Sequence, residues 1–430
     1  MQQGLAAFGW NVWTASQYMG PNLSTGPAMT NTLITNFTET RALFALPEGM
    51  IYLDGNSLGP LPRTAAARVA RTVTDEWGAM LITGWNRAGW MDMPRRLGDR
   101  VARLIGAEAG HVVLGDTLSI KVYQALAAAL DLRPDRRVVL SDSGNFPSDL
   151  YMAEGLLRSL GPDYRLKIVA PEGVAAALDD TVAVTLLTEV DYRTGRKHDM
   201  ATLTARTHAV GAISVWDLAH SAGAFPVDLA GAGVDFAVGC TYKYLNSGPG
   251  GPAFIYVAPR HAEMVRPALS GWLGHAAPFA FDLNYRPGTG IDRMRVGTPP
   301  VLQLAALEAS LDIWDRIDLT ALREASLALS DKFIAGVAAQ IPDLTLATPL
   351  DHSQRGSQVS FRHPEGYAIM QAMIARGVIG DFRAPDILRF GLTPLFIGPA
   401  DISRAVAVLA EIMQGRLWDR PAYKTRALVT

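Results

Sequence analysis

Cysteine is almost missing from this chain of 430 residues. The one thiol, Cys240, excludes an internal disulfide framework and a thiolate zinc cluster. Charge of one sign is missing too: 39 Lys and Arg stand against 41 Asp and Glu, so neither a nucleic-acid face nor a polybasic membrane patch is advertised. No apolar run approaches the ~18 residues that span a bilayer. The eight histidines are scattered, with no HExxH or His-x-His pairing, and no protein-held metal is expected. What is there is 49% hydrophobic and 19% charged, enough chain for a large core in two or three lobes of a cytoplasmic protein.

Residues 1–28 lack a basic n-region, a continuous apolar stretch and a clear cleavage site, so they make a poor signal peptide. They are expected to be a disordered extension. The divisions expected after it are an N-terminal segment over 29–70 that packs with the small domain, a large domain over 71–305, and a small domain over 306–430.

In the middle of the chain, short β-rich runs alternate with helical ones. Strands are predicted at Val138–Ser141, Lys167–Ala170, Val182–Thr188, Ala212–Asp217, Asp235–Gly239 and Ala253–Val257. Helices are predicted at Ser119–Leu130, Asp149–Leu160 and Met200–Val210. This alternation implies an α/β fold with a largely parallel sheet covered on both faces, and ligands beyond the carboxyl ends of the strands. After Pro299-Pro300 come two long helical patterns, Val301–Ile317 and Leu319–Ile341. Short strands at Leu344–Thr348, Gln358–Phe361 and Ile387–Phe390 and a closing helix Ala400–Leu417 follow, which suggests a smaller α+β lobe.

The sharpest chemical signal is Ser214-Val-Trp-Asp217-Leu-Ala-His220, followed by Gly239-Cys-Thr-Tyr242-Lys243-Tyr-Leu-Asn246-Ser-Gly-Pro-Gly-Gly. One apolar strand ends in an acid and the next ends in a lysine followed by glycines. A strand-terminal Asp alone is usually a cap, and a lone Lys is usually solvated surface. Together and in this order they are the parts that pyridoxal phosphate (PLP) needs. A lysine forms the Schiff base, a carboxylate pairs with the pyridinium nitrogen, and glycines let the backbone pass close to the cofactor.

Those segments, with Tyr52-Leu-Asp-Gly-Asn56-Ser57-Leu-Gly59, Asn145-Phe146-Pro-Ser148-Asp149 and Trp85-Asn-Arg-Ala-Gly-Trp90, resemble the kynureninase family of fold-type-I (aspartate-aminotransferase-like) PLP enzymes, its bacterial members most closely. The resemblance runs over about residues 45–415. It implies a large domain with a mostly parallel seven-stranded sheet and hydrolytic Cβ–Cγ cleavage of L-kynurenine to anthranilate and L-alanine, within tryptophan catabolism and NAD biosynthesis. It also implies a homodimer with shared active sites.

The same resemblance assigns roles residue by residue. Lys243 carries PLP and moves the α-proton, Asp217 binds the pyridine nitrogen, His220 reaches the phenolic oxygen, and Tyr242 exchanges protons. Phe146 stacks on the ring, although an ordinary core aromatic would read the same, and Asp149 lies near it or caps a helix. Leu118 and Ser119 hold the phosphate at a helix start, where N–H groups and the dipole suit a dianion, and Ser148 is a further cofactor-binding residue. Ser119 replaces the family's usual Thr. Thr188 is a further cofactor contact, and Trp272 and Thr298 reach in from the neighbouring subunit. Arg389 grips the substrate carboxylate, for which a planar guanidinium is suited, and Asn56 and Ser57 are further substrate-binding residues. Trp85 and Thr298 read the substrate ring and favour L-kynurenine over 3-hydroxykynurenine; packing of the N-terminal segment is the alternative for Trp85. A cysteine desulfurase is excluded by the lack of a nucleophilic Cys after the lysine. A PLP-binding DNA regulator is excluded by the short, weakly basic stretch before Ala45. Another PLP lyase or an aminotransferase of the same fold stays open.

Overall fold

The computed structural model describes residues 33–426; the extension expected over 1–28 lies outside them. Strand β1 (Ile51–Tyr52) and helix α1 (Ala65–Arg71) open the described chain, followed by α2 (Met93–Leu104). Next come β2 (Val112–Leu114), α3 (Leu118–Asp131), β3 (Val138–Asp142), α4 (Pro147–Leu160), β4 (Arg165–Val169), β5 (Val182–Thr188), α5 (Met200–Ala209), β6 (Ile213–Asp217), β7 (Phe236–Cys240) and β8 (Ala253–Val257). Seven of these strands form one sheet in the order β2-β8-β7-β6-β5-β3-β4. Its central pairs are parallel, and β8 runs antiparallel to both β7 and β2. Every residue of β5, β6 and β7 is buried, as expected where helices cover both faces of a parallel sheet.

The predicted strands hold to within two residues at each end. The sequence reading passed over β2, whose three residues are too few to show a period, and over α1 and α2. Helix α4 starts where Pro147 follows an extended Phe146, a placement that suits proline's fixed φ and missing N–H.

The remainder contains α6 (Val301–Trp314), α7 (Leu319–Gln340), β9 (Thr345–Leu346), β10 (Gln358–Arg362), α8 (Gly366–Ile374), β11 (Val378–Ile379), β12 (Asp381–Arg383), β13 (Ile387–Gly391) and α9 (Pro399–Gln414). Asp318 caps α7 by accepting from the Thr320 and Ala321 N–H groups. An antiparallel sheet runs β12-β13-β10-β9, and β1 pairs in parallel with β11. Phe390 of β13 packs edge-on against Phe333 of α7, with ring centroids 5.0 Å apart, and Phe333 meets Phe361 of β10 at 5.8 Å. Each such pair contributes about 0.5–1.5 kcal/mol beyond burial. Because strand side chains alternate, anchoring Phe390 on one face fixes Arg389 on the other.

Candidate active site

Strands β5, β6 and β7 end side by side, and their carboxyl ends deliver Thr188, Asp217 and, three residues past β7, Lys243. Lys243 Nζ lies 3.4 Å from His220 Nε2 and 5.9 Å from the centre of the Phe146 ring. Asp217 is buried; burial pushes its carboxyl up to about 6, and Lys243 opposes that shift. One of its oxygens also accepts the Ala219 N–H at 2.8 Å, the ordinary turn role of a strand-terminal Asp. Burial, then Lys243 and the guanidiniums of Arg389 and Arg383, hold His220 well below its usual range, so it is a neutral imidazole.

Asp149 is buried, with Oδ2 lacking a hydrogen-bond partner among the described residues. Burial and then Asp217 push its carboxyl well above the usual range. Phe146 is 40% exposed, which rules out the ordinary-core alternative; its other neighbour is Tyr192, edge-on at 5.1 Å. Ser119 Oγ at the start of α3 lies 3.1 Å from Ser148 Oγ at the start of α4, so two helix N-termini converge. Thr188 Oγ1 donates to the Val190 carbonyl at 3.4 Å. Cys240 and then burial raise the Tyr242 phenol, which therefore keeps its proton at neutral pH. These residues fit PLP. They offer an amine, a buried acid, an uncovered aromatic face, paired hydroxyls at two positive helix ends, and an orphaned buried carboxyl oxygen.

The loop over residues 53–59 closes against the lysine because Gly59 is bare. Its N–H donates to the Tyr242 carbonyl at 2.8 Å, and a Cβ there would sit 2.2 Å from the Lys243 carbonyl oxygen. That loop delivers Ser57 to Arg389. Arg389 Nη2 donates to Ser57 Oγ at 2.6 Å, and Nε to Asp381 Oδ1 at 2.8 Å; Nη2 is also paired with Asp381. Asp381 and Arg389 are direct cross-strand partners of β12 and β13. The surface salt bridge that would be the default for Arg389 is replaced by this buried pair. Asn56 is buried, with Nδ2 3.5 Å from Gln358 Oε1 and Oδ1 unpartnered among the described residues. Asp54 is raised to about 7 by burial and then by Asp381.

Three predicted residues stand apart from this cluster. Trp85, in a short helix over Gly84–Arg87, packs edge-on against Trp90 at 5.3 Å. Trp272 is 43% exposed and meets Phe279 at 5.8 Å; Thr298 is exposed as well. Their segments run together, with the Leu273 N–H donating to the Val296 carbonyl at 3.2 Å.

Sequence reasoning missed Asp381, Arg383, Asp54 and Tyr192. The signal available was Asp381-Phe-Arg383, two charges on one face of a strand just ahead of Arg389. Among the described residues, no group of three or more His, Cys, Asp or Glu could hold a metal ion, and no helix is long and apolar enough to cross a membrane.

A family model described as the kynureninase C-terminal domain matches residues 322–409. The chain is 50% identical to a kynureninase of Pseudomonas fluorescens over 397 residues, covering 91% of this chain and 95% of that one. It is 52% identical to a kynureninase of Burkholderia pseudomallei (strain 1106a) over the same length and the same shares. Among solved structures, a cysteine desulfurase from Thermococcus onnurineus NA1 superposes with a TM-score of 0.74 at 18% identity, covering 87% of this chain and 98% of that one. The cysteine desulfurase CsdA from Escherichia coli gives 0.74 at 17% identity, covering 88% and 98%. At such identities they speak for the fold alone.

Proposed function

The chain belongs to the kynureninase family, and from that premise we propose how its own residues carry out the hydrolytic Cβ–Cγ cleavage of L-kynurenine to anthranilate and L-alanine. Pyridoxal 5'-phosphate is the cofactor and, when bound, supplies the electron sink for bond breaking next to the substrate amine. Lys243 would hold the cofactor, and its Nζ would move the substrate α-proton. Asp217 would keep a proton on the pyridine nitrogen, and the neutral His220 would hydrogen-bond the phenolic oxygen without adding charge beside Lys243. Phe146 would cover the ring face, Asp149 and Thr188 would be further cofactor contacts, and Leu118, Ser119 and Ser148 would hold the phosphate.

The reaction consumes one water: its oxygen ends in the aryl carboxylate and Cβ gains a proton. Tyr242, protonated at neutral pH and next in sequence to Lys243, is the group that exchanges protons there. Arg389, braced by Asp381 and Ser57 with Asn56 alongside, takes the substrate carboxylate. Trp85 and Thr298 read the aryl ring.

A homodimer completes the site, Trp272 and Thr298 being supplied across its interface. The support is the exposure of Trp77, Ile82, Trp272, Phe279, Phe281 and Leu283, more apolar surface than a solvated face needs. The single cysteine and balanced charge support a cytoplasmic location, with tryptophan catabolism and NAD biosynthesis as the pathway context.

The observation that carries the reading is the convergence of Lys243, His220 and Asp217 at the carboxyl end of the sheet, a setting made for an amine that must leave and re-enter a bond. Incubation with L-kynurenine tests it. Fluorescent anthranilate is the expected product, whereas kynurenate would mark an aminotransferase instead.

A further inference from the structure

Arg389 is buried at 2% exposure, and each of its guanidinium nitrogens is already turned to the protein. Nε and Nη2 face Asp381, Nη2 also meets Ser57 Oγ, and Nη1 donates to the Tyr192 carbonyl at 2.7 Å. A second guanidinium stands in the same cluster. Arg383 lies two residues beyond Asp381 on β12, so the two side chains leave the strand on one face, and Asp381 is the cross-strand partner of Arg389. Arg383 Nη2 lies 2.7 Å from Asp381 Oδ2 and donates to Ser57 Oγ at 3.3 Å, the same two acceptors that hold Arg389. Its side chain, however, is 35% exposed, against 2% for Arg389.

This cluster borders the cofactor site. Both arginines act on His220, the neighbour of Lys243, and the residue whose carbonyl fixes Arg389 presses its ring on Phe146. Two cations share one carboxylate, Asp381, while burial and Asp381 itself push Asp54 up to about 7. A partly enclosed site with surplus positive charge favours an incoming anion, and a guanidinium edge is shaped for a carboxylate.

We propose that Arg383 is a second carboxylate-binding residue for the substrate, its outward edge taking one carboxylate oxygen while the buried Arg389 positions the other. This rests on the reading of the Lys243 site as one that cleaves an aryl-keto amino acid. The specificity it implies at this end of the substrate is for a free α-carboxylate.

The test uses the holoenzyme with Arg383→Gln and Arg383→Lys and three probes: L-kynurenine, its decarboxylated analogue kynuramine, and L-alanine followed through the cofactor's absorbance. Loss of a charge-assisted hydrogen bond should raise the KM for L-kynurenine and the Kd for L-alanine roughly ten- to hundredfold in Arg383→Gln, with kcat changed by less than about threefold. The inhibition constant of kynuramine, which has no carboxylate, should stay within about twofold of wild type. Arg383→Lys keeps the charge but not the fork and should lose about tenfold; it serves alone if the glutamine variant does not fold. Unchanged KM and Kd in either folded variant would overturn the proposal, as would kynuramine weakening as much as L-kynurenine. If the wild type released no anthranilate, the functional reading would fail, and the L-alanine arm would still decide the role of Arg383.

Discussion

Lys243 Nζ and His220 Nε2 sit 3.4 Å apart at the end of the sheet, and the imidazole is held neutral by burial and by the lysine itself. A neutral partner matters. An imidazolium at this distance would repel the cationic form of the lysine, whereas a neutral ring nitrogen accepts a hydrogen bond from it. The pair therefore sets an uncharged ring nitrogen beside Nζ, which suits the cofactor-holding role proposed for Lys243.

That lysine should be the one modified. Borohydride treatment of the yellow holoenzyme is expected to bleach its visible band and leave the reduced cofactor attached to Lys243, readable by peptide mass spectrometry. Lys243→Ala should keep weak cofactor binding and lose turnover by about four or more orders of magnitude. Label on another lysine would refute the assignment.

Asp217→Asn should separate cofactor content from activity. The amide cannot keep the pyridine nitrogen protonated, while the contacts from Ser119 and Ser148 are untouched. Turnover should fall about 10²–10³-fold with cofactor occupancy largely retained, measured by absorbance per protomer. Wild-type turnover in the Asn variant would remove Asp217 from this role.

How much was legible beforehand follows from how local each signal was. Strands β5 to β7 are buried, mostly apolar runs ended by special chemistry, so Asp217, His220, Tyr242 and Lys243 could be read in order along the chain. Asp381 and Arg383 could not. Their role depends on β12 folding back beside β13 and on Gly59 letting a loop more than 300 residues earlier close on the lysine. Strand β12 has three residues, too few to declare a period. The Asp54–Asp381–Arg383–Arg389 cluster is thus long-range in sequence, and of its members only Arg389 had a role assigned from the sequence.

Trp272 and Thr298 supply the dimer test. Thr298→Ala with Trp272→Ala should be inactive alone, as should Lys243→Ala. Mixed after partial unfolding, the two should regain up to roughly a quarter of wild-type activity, through hybrids that hold one intact site. Sedimentation should show a dimer at assay concentration. A fully active monomer would end the shared-site proposal.

Ring recognition can be tried by swapping in hydrogen-bonding groups. Wild type should prefer L-kynurenine, because a hydroxyl left without a partner costs roughly 1–3 kcal/mol, about five- to hundredfold in kcat/KM. Trp85→His with Thr298→Asn should shift preference toward 3-hydroxykynurenine. The Trp85–Trp90 contact sets the competing expectation: if Trp85 only packs, the double variant loses stability with no change in the substrate ratio.

Glu189, directly after β5, makes a prediction about stability rather than turnover. Its N–H donates to the Asp217 carbonyl at 3.0 Å, so it is built into the same strand ends as the site. Its side chain is 4% exposed, and burial raises the carboxyl from 4.5 to about 7, opposed by Ser221, Lys197 and Arg323. The folded protein therefore keeps a proton that the unfolded chain releases above its own pKa, near 4.5. Between about pH 4.5 and 7 the native state binds more protons than the unfolded one, so this group's contribution falls as pH rises and levels off above about 7. The full cost at pH 8 is on the order of 3 kcal/mol at most, from the size of the shift. Glu189→Gln removes the ionisation while keeping the shape. Its Tm should match wild type near pH 5 and exceed it by several degrees near pH 8, read by calorimetry of the same cofactor-loaded protein at both values. A difference from wild type that is the same at the two pH values would mean that Glu189 does not carry this titration.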